Sequence, residues 1–194
     1  MHTVSHEDNP GDPRMMIPAR EVIAQVRSVV ERWHRLDPVL DWKVVEPMFP
    51  ADSAQWGGQV ARLSLVNCYQ WHLEDACRSS YQDLRQLGRL KLAIDESNQR
   101  RGQGIGAIDR RVARDLSSLR PDDSHAPVCL VTPGNVIDRL SILELKRYHM
   151  AVPAGVAEQI ADLCEGLDAL IRALACGQQR FAFHSTQKVY GAHG

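Results

Sequence analysis

The sequence predicts an all-α protein, a single-domain bundle of about six helices. Apolar residues recur every three or four positions along most of the 194 residues, and no stretch alternates in the manner of a β-strand. No internal repeat or long heptad pattern occurs. A chain of this length fits one domain. We place it at residues 17–177, with a disordered tail at 1–16 and an irregular tail at 178–194.

The ends of each helix are predicted from apolar spacing and from residues that start or stop helices. The first helix runs from about Pro18 to Leu36, and a proline-rich loop that carries Trp42 and Trp56 follows. Five more helices are expected, and Gly177 caps the last of them. They cover about 59–78, 81–101, 105–119, 132–150 and 156–174, with a flexible glycine joint at residues 102, 104 and 106 between the third and fourth helices.

The composition is that of an ordinary globular protein. Hydrophobic residues make up 44% and charged residues 24%, and the formal net charge is −1. We therefore expect no overall attraction to nucleic acid or acidic lipid. Residues 85–120 nevertheless carry nine Lys or Arg against four Asp or Glu. This excess indicates a solvated basic face or a site for a phosphate-bearing small molecule.

Cysteine usage and the amino-terminal residues indicate a cytoplasmic protein. The five cysteines are odd in number and have no C-x-x-C spacing, which argues against a disulfide framework. Residues 1–16 are polar and do not resemble a signal peptide. No apolar run approaches the ~18 residues of a membrane span.

Three strings of polar residues lie beside the apolar stripes of the predicted helices. Charged and amide side chains are rarely buried unless they are paired or used. We therefore predict that these strings converge on one polar cleft between helices. The first holds Asn67, Trp71, His72, Glu74, Asp75 and Arg78, the second holds Lys91, Asp95, Asn98 and Arg101, and the third holds Asp138, Arg139, Lys146 and His149.

The residue types in this cleft favour an enzyme, or an essential partner of one, that binds a phosphorylated sugar or nucleotide-sugar. Trp71 would stack on a ring, and Asn67, Glu74, Asn98 and Lys146 would complete the binding surface. The cations assigned to phosphate are Arg78, Lys91, Arg101 and Arg139. The catalytic candidates are Asp75, Asp95 and Asp138 as bases or hydroxyl-orienting groups, and His72 and His149 as proton carriers. No cofactor is assigned.

Two alternatives from other classes remain open. The polar strings could form a structural network in a non-catalytic module that docks onto another enzyme or onto a second copy of the chain. The segment 99–106 also resembles the pyrophosphate loop of acetyl-coenzyme A dependent N-acetyltransferases, although that loop must follow a strand.

No metal site is predicted. His72 and Asp75 could both reach one ion, but H-E-x-x-H is absent. Glu144 and His149 are five residues apart and do not share a helix face. His34, His125 and His184 are interpreted as surface or packing residues.

The three strings, in this order, resemble a bacterial all-helical family known only as a domain of unknown function. The resemblance covers about residues 60–150 and includes Trp-His-x-Glu-Asp at 71–75, Lys-x-x-Ile-Asp-x-x-Asn-Gln-x-Arg at 91–101, Ile-Asp at 108–109, and the run from Ile137 to Met150. It implies a helical fold and a cytoplasmic bacterial protein. Because members are associated with sugar-nucleotide and cell-surface glycan genes, it also implies a role related to glycosyl transfer.

Overall fold

Six α-helices and no β-strand make up the part of the chain that the computed structural model describes, residues 17–117, 125–150 and 155–180. The all-α prediction is confirmed. The helices are α1 (Ala19–Leu36), α2 (Trp42–Met48), α3 (Trp56–Ser79), α4 (Leu84–Ser117), α5 (Pro133–His149) and α6 (Val156–Ala175). The predicted tail at 1–16 and all but three residues of the predicted tail at 178–194 lie outside the described residues.

Helix α5 is the centre of the bundle. It packs against α1, α3, α4 and α6, while α3 packs against both α1 and α4. Ten of the seventeen residues of α5 are buried, and three of these are polar: Asp138, Ser141 and Glu144. A buried polar side chain costs free energy unless it finds a partner inside the protein. The hydrogen-bond partners of these buried polar residues therefore show where polar contacts cross between the helices.

We predicted a loop between the first two long helices. This prediction was wrong in part, because the segment contains the short helix α2. The Asp41 carboxylate caps this helix by accepting a hydrogen bond from the backbone N–H of Lys43 at 2.9 Å. Trp42 is buried and meets the ring of Tyr69 edge-on, with the centroids 5.3 Å apart. Trp56 opens α3 and is half-buried. Burial of these aromatic side chains holds the segment against the bundle.

The predicted glycine joint was also wrong, because α4 is one continuous helix of 34 residues. Its inner face continues across the glycines, with Ser97 and Ile108 buried and Arg101, Gly104 and Ile105 half-buried between them. A Cβ built on Gly104 would lie 3.2 Å from Leu63 Cδ1, so a glycine here lets α3 approach closely. Packing of this inner face outweighs the helix penalty of about 1 kcal/mol for each glycine. The acetyltransferase hypothesis loses its basis, since segment 99–106 is helix and not a loop after a strand.

The start of α5 and the end of α6 follow the predictions. Thr132 caps α5 with its side chain, and Pro133 occupies the first helical position. Gly177 has a φ of 69°. Its N–H bonds to the carbonyl of Leu174, and the next N–H, from Gln178, bonds to the carbonyl of Ala173. This pattern is a Schellman motif, which glycine favours because it adopts positive φ without strain.

None of the described helices has the length and apolar character that a membrane crossing requires. All five cysteines lie in the described part of the chain, and each is a free thiol.

Candidate functional site

A cleft of about 170 Å³ opens between α3, α4 and α5. It combines apolar walls from α5 with polar side chains from α3 and α4. Five of its eight lining residues belong to the strings singled out in the sequence. The lining residues are Asn67, Gln70, Trp71, Glu74, Arg78, Arg101, Ile142 and Leu145.

A buried ion pair beside the cleft joins Asp138 of α5 to Arg101 of α4. The Arg101 Nε donates to Asp138 Oδ1 at 2.8 Å, and Nη2 donates to Oδ2 at 2.6 Å. Asn67 Nδ2 donates to the same carboxylate at 3.0 Å. The hydrogen bond from Arg101 to Asp138 raises the pKa of the guanidinium above its usual value. With three donors on one carboxylate, Asp138 holds Arg101 in place and is poorly suited to act as a free base.

Trp71 in the wall of the cleft has an unsatisfied polar atom. Its indole N–H is buried and has no hydrogen-bond partner among the described residues. The face of the indole ring stacks on His149, with the centroids 5.2 Å apart and the planes 12° from parallel. A buried tryptophan N–H usually finds a partner.

Short-range polar contacts form the rim of the cleft. Arg78 is exposed and pairs with Asp75 one helical turn earlier. Gln70 Nε2 donates to Asn98 Oδ1 at 2.9 Å, which brings the predicted residue Asn98 to the edge of the cleft through Gln70. Glu74 is exposed. The rim therefore presents the carboxylate of Glu74 beside the ion pair of Arg78 and Asp75.

Four predicted site residues lie away from the cleft. Lys91 Nζ and Asp95 Oδ1 are 2.8 Å apart in an exposed pair within α4. Lys91 precedes Arg101 by ten residues, which is about 15 Å along a straight helix. Arg139 and Lys146 of α5 are also exposed. Because α5 is buried on the sides that face its neighbours, polar residues flanking its inner face point to water.

Three histidines from three helices form a second cluster, which we call the histidine cluster: His34 of α1, His72 of α3 and His149 of α5. One ring nitrogen from each lies within 4.8 Å of those of the other two. The Nε2 atoms of His34 and His149 are 3.0 Å apart. His34, which the sequence interpretation left as a surface or packing residue, is half-buried here. No spacing rule could have found the cluster, because each ligand comes from a different helix.

Burial shifts the protonation of two of these imidazoles. It lowers the pKa of His72 to about 4, and the neighbouring imidazoles His149 and His34 act in the same direction. The carboxylates of Asp75 and Asp37 oppose this shift. Burial also lowers the pKa of His149. Both shifts favour the neutral form of the imidazole ring.

Two buried carboxylates outside the predicted set tie helices together. Glu144 of α5, only 1% exposed, accepts hydrogen bonds from Arg27 of α1 at 2.6 Å and from Arg147 one turn later. Asp109 of α4 accepts the backbone N–H of Gly134 at 2.8 Å, at the start of α5. Both act as structural anchors. The Ile-Asp at 108–109 was the only sequence signal for either of them.

A larger concavity of about 530 Å³ follows the outer face of α6. All of its lining residues lie on that single helix, and three of them are carboxylates: Asp162, Glu165 and Asp168. Asp168 already accepts the backbone N–H of Ala19. One helix face cannot enclose a ligand, so this surface is a groove and not a candidate site.

Comparison with known proteins supports the resemblance seen in the sequence. A family model described as a protein of unknown function, DUF4254, matches residues 58–155. The matched segment is half of the chain and contains every residue that lines the cleft. It includes His72 and His149 but not His34. No curated protein and no solved structure matches the chain.

Proposed function

The chain belongs to the DUF4254 family, whose function is unknown, and we propose that its cleft binds a small ligand that carries a phosphate or a similar anion. The volume of about 170 Å³ is below the roughly 300–1,000 Å³ typical of pockets for drug-sized ligands. A phosphorylated monosaccharide fits this scale better than a whole nucleotide-sugar. For a nucleotide-sugar, only the phosphosugar end would be enclosed.

The observation that carries the proposal is that two residues lining the cleft, Trp71 and Arg101, each retain a hydrogen-bond donor. The indole N–H of Trp71 is buried and has no partner among residues 17–117, 125–150 and 155–180. Arg101 uses Nε and Nη2 on Asp138, and its Nη1 carries two further N–H groups. Because Asp138 fixes the guanidinium, little side-chain entropy remains to be lost on binding. Two oriented donors suit an anionic oxygen.

Net charge alone does not favour an anion at the cleft. Arg78 and Arg101 line the cleft beside one carboxylate, Glu74. Their ion-pair partners, Asp75 and Asp138, lie outside the lining and bring the count to three carboxylates against two guanidinium groups. Recognition of an anion would therefore rest on directed hydrogen bonds and not on net charge.

We extend the proposal from ligand binding to a catalysed reaction. The sequence resemblance implies a glycosylation-related role without specifying a reaction. A transferase would be consistent with that role, and the cleft would supply its binding site for the phosphorylated sugar. Asp138 is then a positioning residue for Arg101. The contact of Trp71 with His149 would couple the bound ligand to the histidine cluster.

Thermal shift and titration calorimetry with a matched panel test the binding. The panel compares inorganic phosphate, glucose, glucose 1-phosphate and uridine diphosphate glucose. We expect the phosphorylated sugar to raise the melting temperature and glucose alone to leave it unchanged. The variant Trp71→Phe keeps a ring and removes the N–H, so we expect affinity to fall about tenfold or more. The control is Arg139→Gln, an exposed cation outside the cleft.

Two outcomes would reject the proposal. The first is that no compound of the panel raises the melting temperature of the folded protein. The second is that Trp71→Phe and Arg139→Gln bind the phosphorylated sugar with the same affinity.

The second candidate is a non-catalytic interaction module. It is favoured by the network of Asn67, Arg101 and Asp138, whose polar contacts are made within the protein. This candidate predicts that no compound of the panel binds. It also predicts that a partner enzyme or a second copy of the chain is retained on purification.

A further inference from the structure

We propose that the histidine cluster is a binding site for a divalent transition-metal ion of the zinc type. His34, His72 and His149 would supply one imidazole nitrogen each, from α1, α3 and α5. Imidazole is a preferred ligand of zinc, copper, iron and nickel. The inference stands apart from the cleft, because it does not require that any ligand binds there.

The spacing of the nitrogens fits one ion. Zn–N bonds of about 2.0–2.1 Å in a tetrahedral arrangement place the nitrogens roughly 3.3 Å apart. The Nε2 atoms of His34 and His149 are joined by a hydrogen bond of 3.0 Å, and one nitrogen from each of the three rings lies within 4.8 Å of the other two. An ion between the rings would replace this hydrogen bond, and the shared proton would be released or would move to the other nitrogen of His149.

The second ring nitrogen of His34 has the partner that a metal ligand usually has. Its Nδ1 lies 2.6 Å from the backbone carbonyl oxygen of Val30, one turn earlier in α1. A carbonyl only accepts, so Nδ1 carries the proton and Nε2 presents a lone pair. Metal-binding histidines commonly donate their other N–H to a carbonyl or carboxylate, which fixes the tautomer and the ring orientation.

An unsatisfied atom of His72 points to the same conclusion. Its Nε2 is buried and has no hydrogen-bond partner among the described residues. Leaving such an atom without a partner costs free energy, and coordination would repay that cost.

Neighbouring aromatic rings hold the three imidazoles in place. The indole of Trp33 stacks on His72 with the planes 11° from parallel. The indole of Trp71 stacks on His149 in the same way, and Tyr148 stacks on His34 with the centroids 3.8 Å apart. Each ligand is therefore oriented before an ion arrives, which lowers the entropy cost of binding.

The electrostatic environment also favours a cation. Helix α1 ends two residues after His34, and His149 is the last residue of α5. The carboxyl ends of both helices carry partial negative charge. The carboxylates of Asp37 and Asp75 act on His72 from outside the cluster.

The geometry corresponds to an open rather than a closed metal site. The described residues supply three ligands, and His149 is exposed. Structural zinc sites take four protein ligands, whereas catalytic sites take three and leave a position for water or substrate oxygen. A site at the histidine cluster would be of the second kind.

Metal titration of the full chain, after treatment with a chelator, tests this site. Zn²⁺ is added in a calorimeter and Co²⁺ in a spectrophotometer, where tetrahedral coordination gives strong visible absorption. We expect saturation at one equivalent per chain. The variants His72→Phe and His149→Phe keep the stacking on Trp33 and Trp71 but remove the nitrogens. We expect each variant to weaken Zn²⁺ binding at least about 100-fold. Removing a residue that only supports a metal ligand usually costs about 10- to 100-fold in affinity, and removing the ligand itself should cost more.

A matched control and a folding check make the outcome decisive. His125→Gln removes an exposed histidine outside the cluster and should leave the affinity unchanged. Circular dichroism and thermal melts confirm that the variants are folded. The proposal fails if the wild type shows no saturable Co²⁺ spectrum. It also fails if His72→Phe and His149→Phe, once shown to be folded, bind Zn²⁺ as tightly as His125→Gln.

The two proposals fail separately. Trp71→Phe should retain Zn²⁺ binding, since it keeps a ring against His149. Loss of phosphorylated-sugar binding with metal binding intact would concern the cleft alone. Loss of metal binding with the sugar phosphate still bound would concern the histidine cluster alone.

Discussion

Arg101 and Asp138 join α4 to α5 through two parallel hydrogen bonds of 2.8 and 2.6 Å. The two residues are 37 positions apart in the chain. The side chain of Asp138 is 9% exposed and that of Arg101 is 29% exposed. The pair therefore fixes the distance between two helices and the direction of one guanidinium at the cleft.

Breaking this pair from one side should destabilise the fold. Arg101→Met leaves the buried carboxylate of Asp138 with the hydrogen bond from Asn67 and without its ion-pair partner, so we expect the free energy of unfolding to fall by about 3 kcal/mol. The double variant Arg101→Met with Asp138→Leu removes both charges and should recover part of that loss. Urea unfolding of the wild type, both single variants and the double variant gives the coupling energy. If the losses in the free energy of unfolding of the two single variants add up to that of the double variant, the two charged side chains do not stabilise each other.

The continuity of α4 can be tested at two of its glycines. No atom of the described residues lies within 4 Å of a Cβ built on Gly102, whereas one built on Gly104 would meet Leu63 at 3.2 Å. Gly102→Ala should stabilise the protein by about 0.5–1 kcal/mol, because alanine loses less entropy than glycine inside a helix. Gly104→Ala should gain less than this or destabilise. A loss of stability in Gly102→Ala, measured by urea unfolding, would contradict a continuous helix.

The start of α5 depends on a glycine. A Cβ built on Gly134 would lie 2.6 Å from the carbonyl oxygen of Ile105 and 2.8 Å from Asp109 Oδ1. Gly134→Ala should therefore cost about 1–3 kcal/mol through overpacking, and more if the bond to Asp109 breaks. Thermal unfolding measures the cost. Gly88→Ala, where no described atom lies within 4 Å, is the control, and equal melting temperatures for the two variants would refute the close approach.

The buried carboxyl of Asp109 should make stability depend on pH. Burial raises the pKa of this group above its ordinary value of 3.8, although hydrogen bonds from Thr132 and Gly134 oppose the shift. With a raised pKa, the folded state binds more protons than the unfolded state in the window above 3.8. The contribution of Asp109 to stability is then present at lower pH and is lost as the pH rises through the folded pKa.

The measurement compares the wild type with Asp109→Asn, whose amide does not titrate. We expect the free energy of unfolding of the wild type, relative to the variant, to decline as the pH rises from about 4 and to become constant above the folded pKa. A difference between the two proteins that increases over this range would mean that the hydrogen bonds outweigh burial.

Helix boundaries were largely predictable because their signals are local. The stripe of α1, the Thr132-Pro133 start of α5 and the glycine cap after α6 each depend on residues within a turn or two. The two errors have a tertiary cause. Segment 42–48 forms a helix that packs Trp42 against Tyr69. The glycines of α4 lie within a continuous helix, and Gly104 allows Leu63 of α3 to pack closely against it.

Part of the cleft was visible in the sequence for the same reason. Asn67, Trp71, Glu74 and Arg78 share one face of α3 by their spacing, and the structure places all four on the cleft. The same rule grouped Lys91 and Asp95 with Asn98, but Lys91 and Asp95 form an exposed pair nearer the start of α4. Spacing reports which residues share a face and does not report which part of that face a neighbouring helix covers.

The sequence by itself determined the helical class, most of the helix ends and the polar face of α3, since these follow from contacts between residues a few positions apart. Only the tertiary structure decided that Arg101 meets Asp138, that Arg27 meets Glu144 across 117 positions, and that His34 joins His149 across 115. Such pairs depend on how whole helices cross and how far along each other they lie. That geometry is set by how side chains from all the helices pack in the core, and no pattern within a short stretch of sequence reports it.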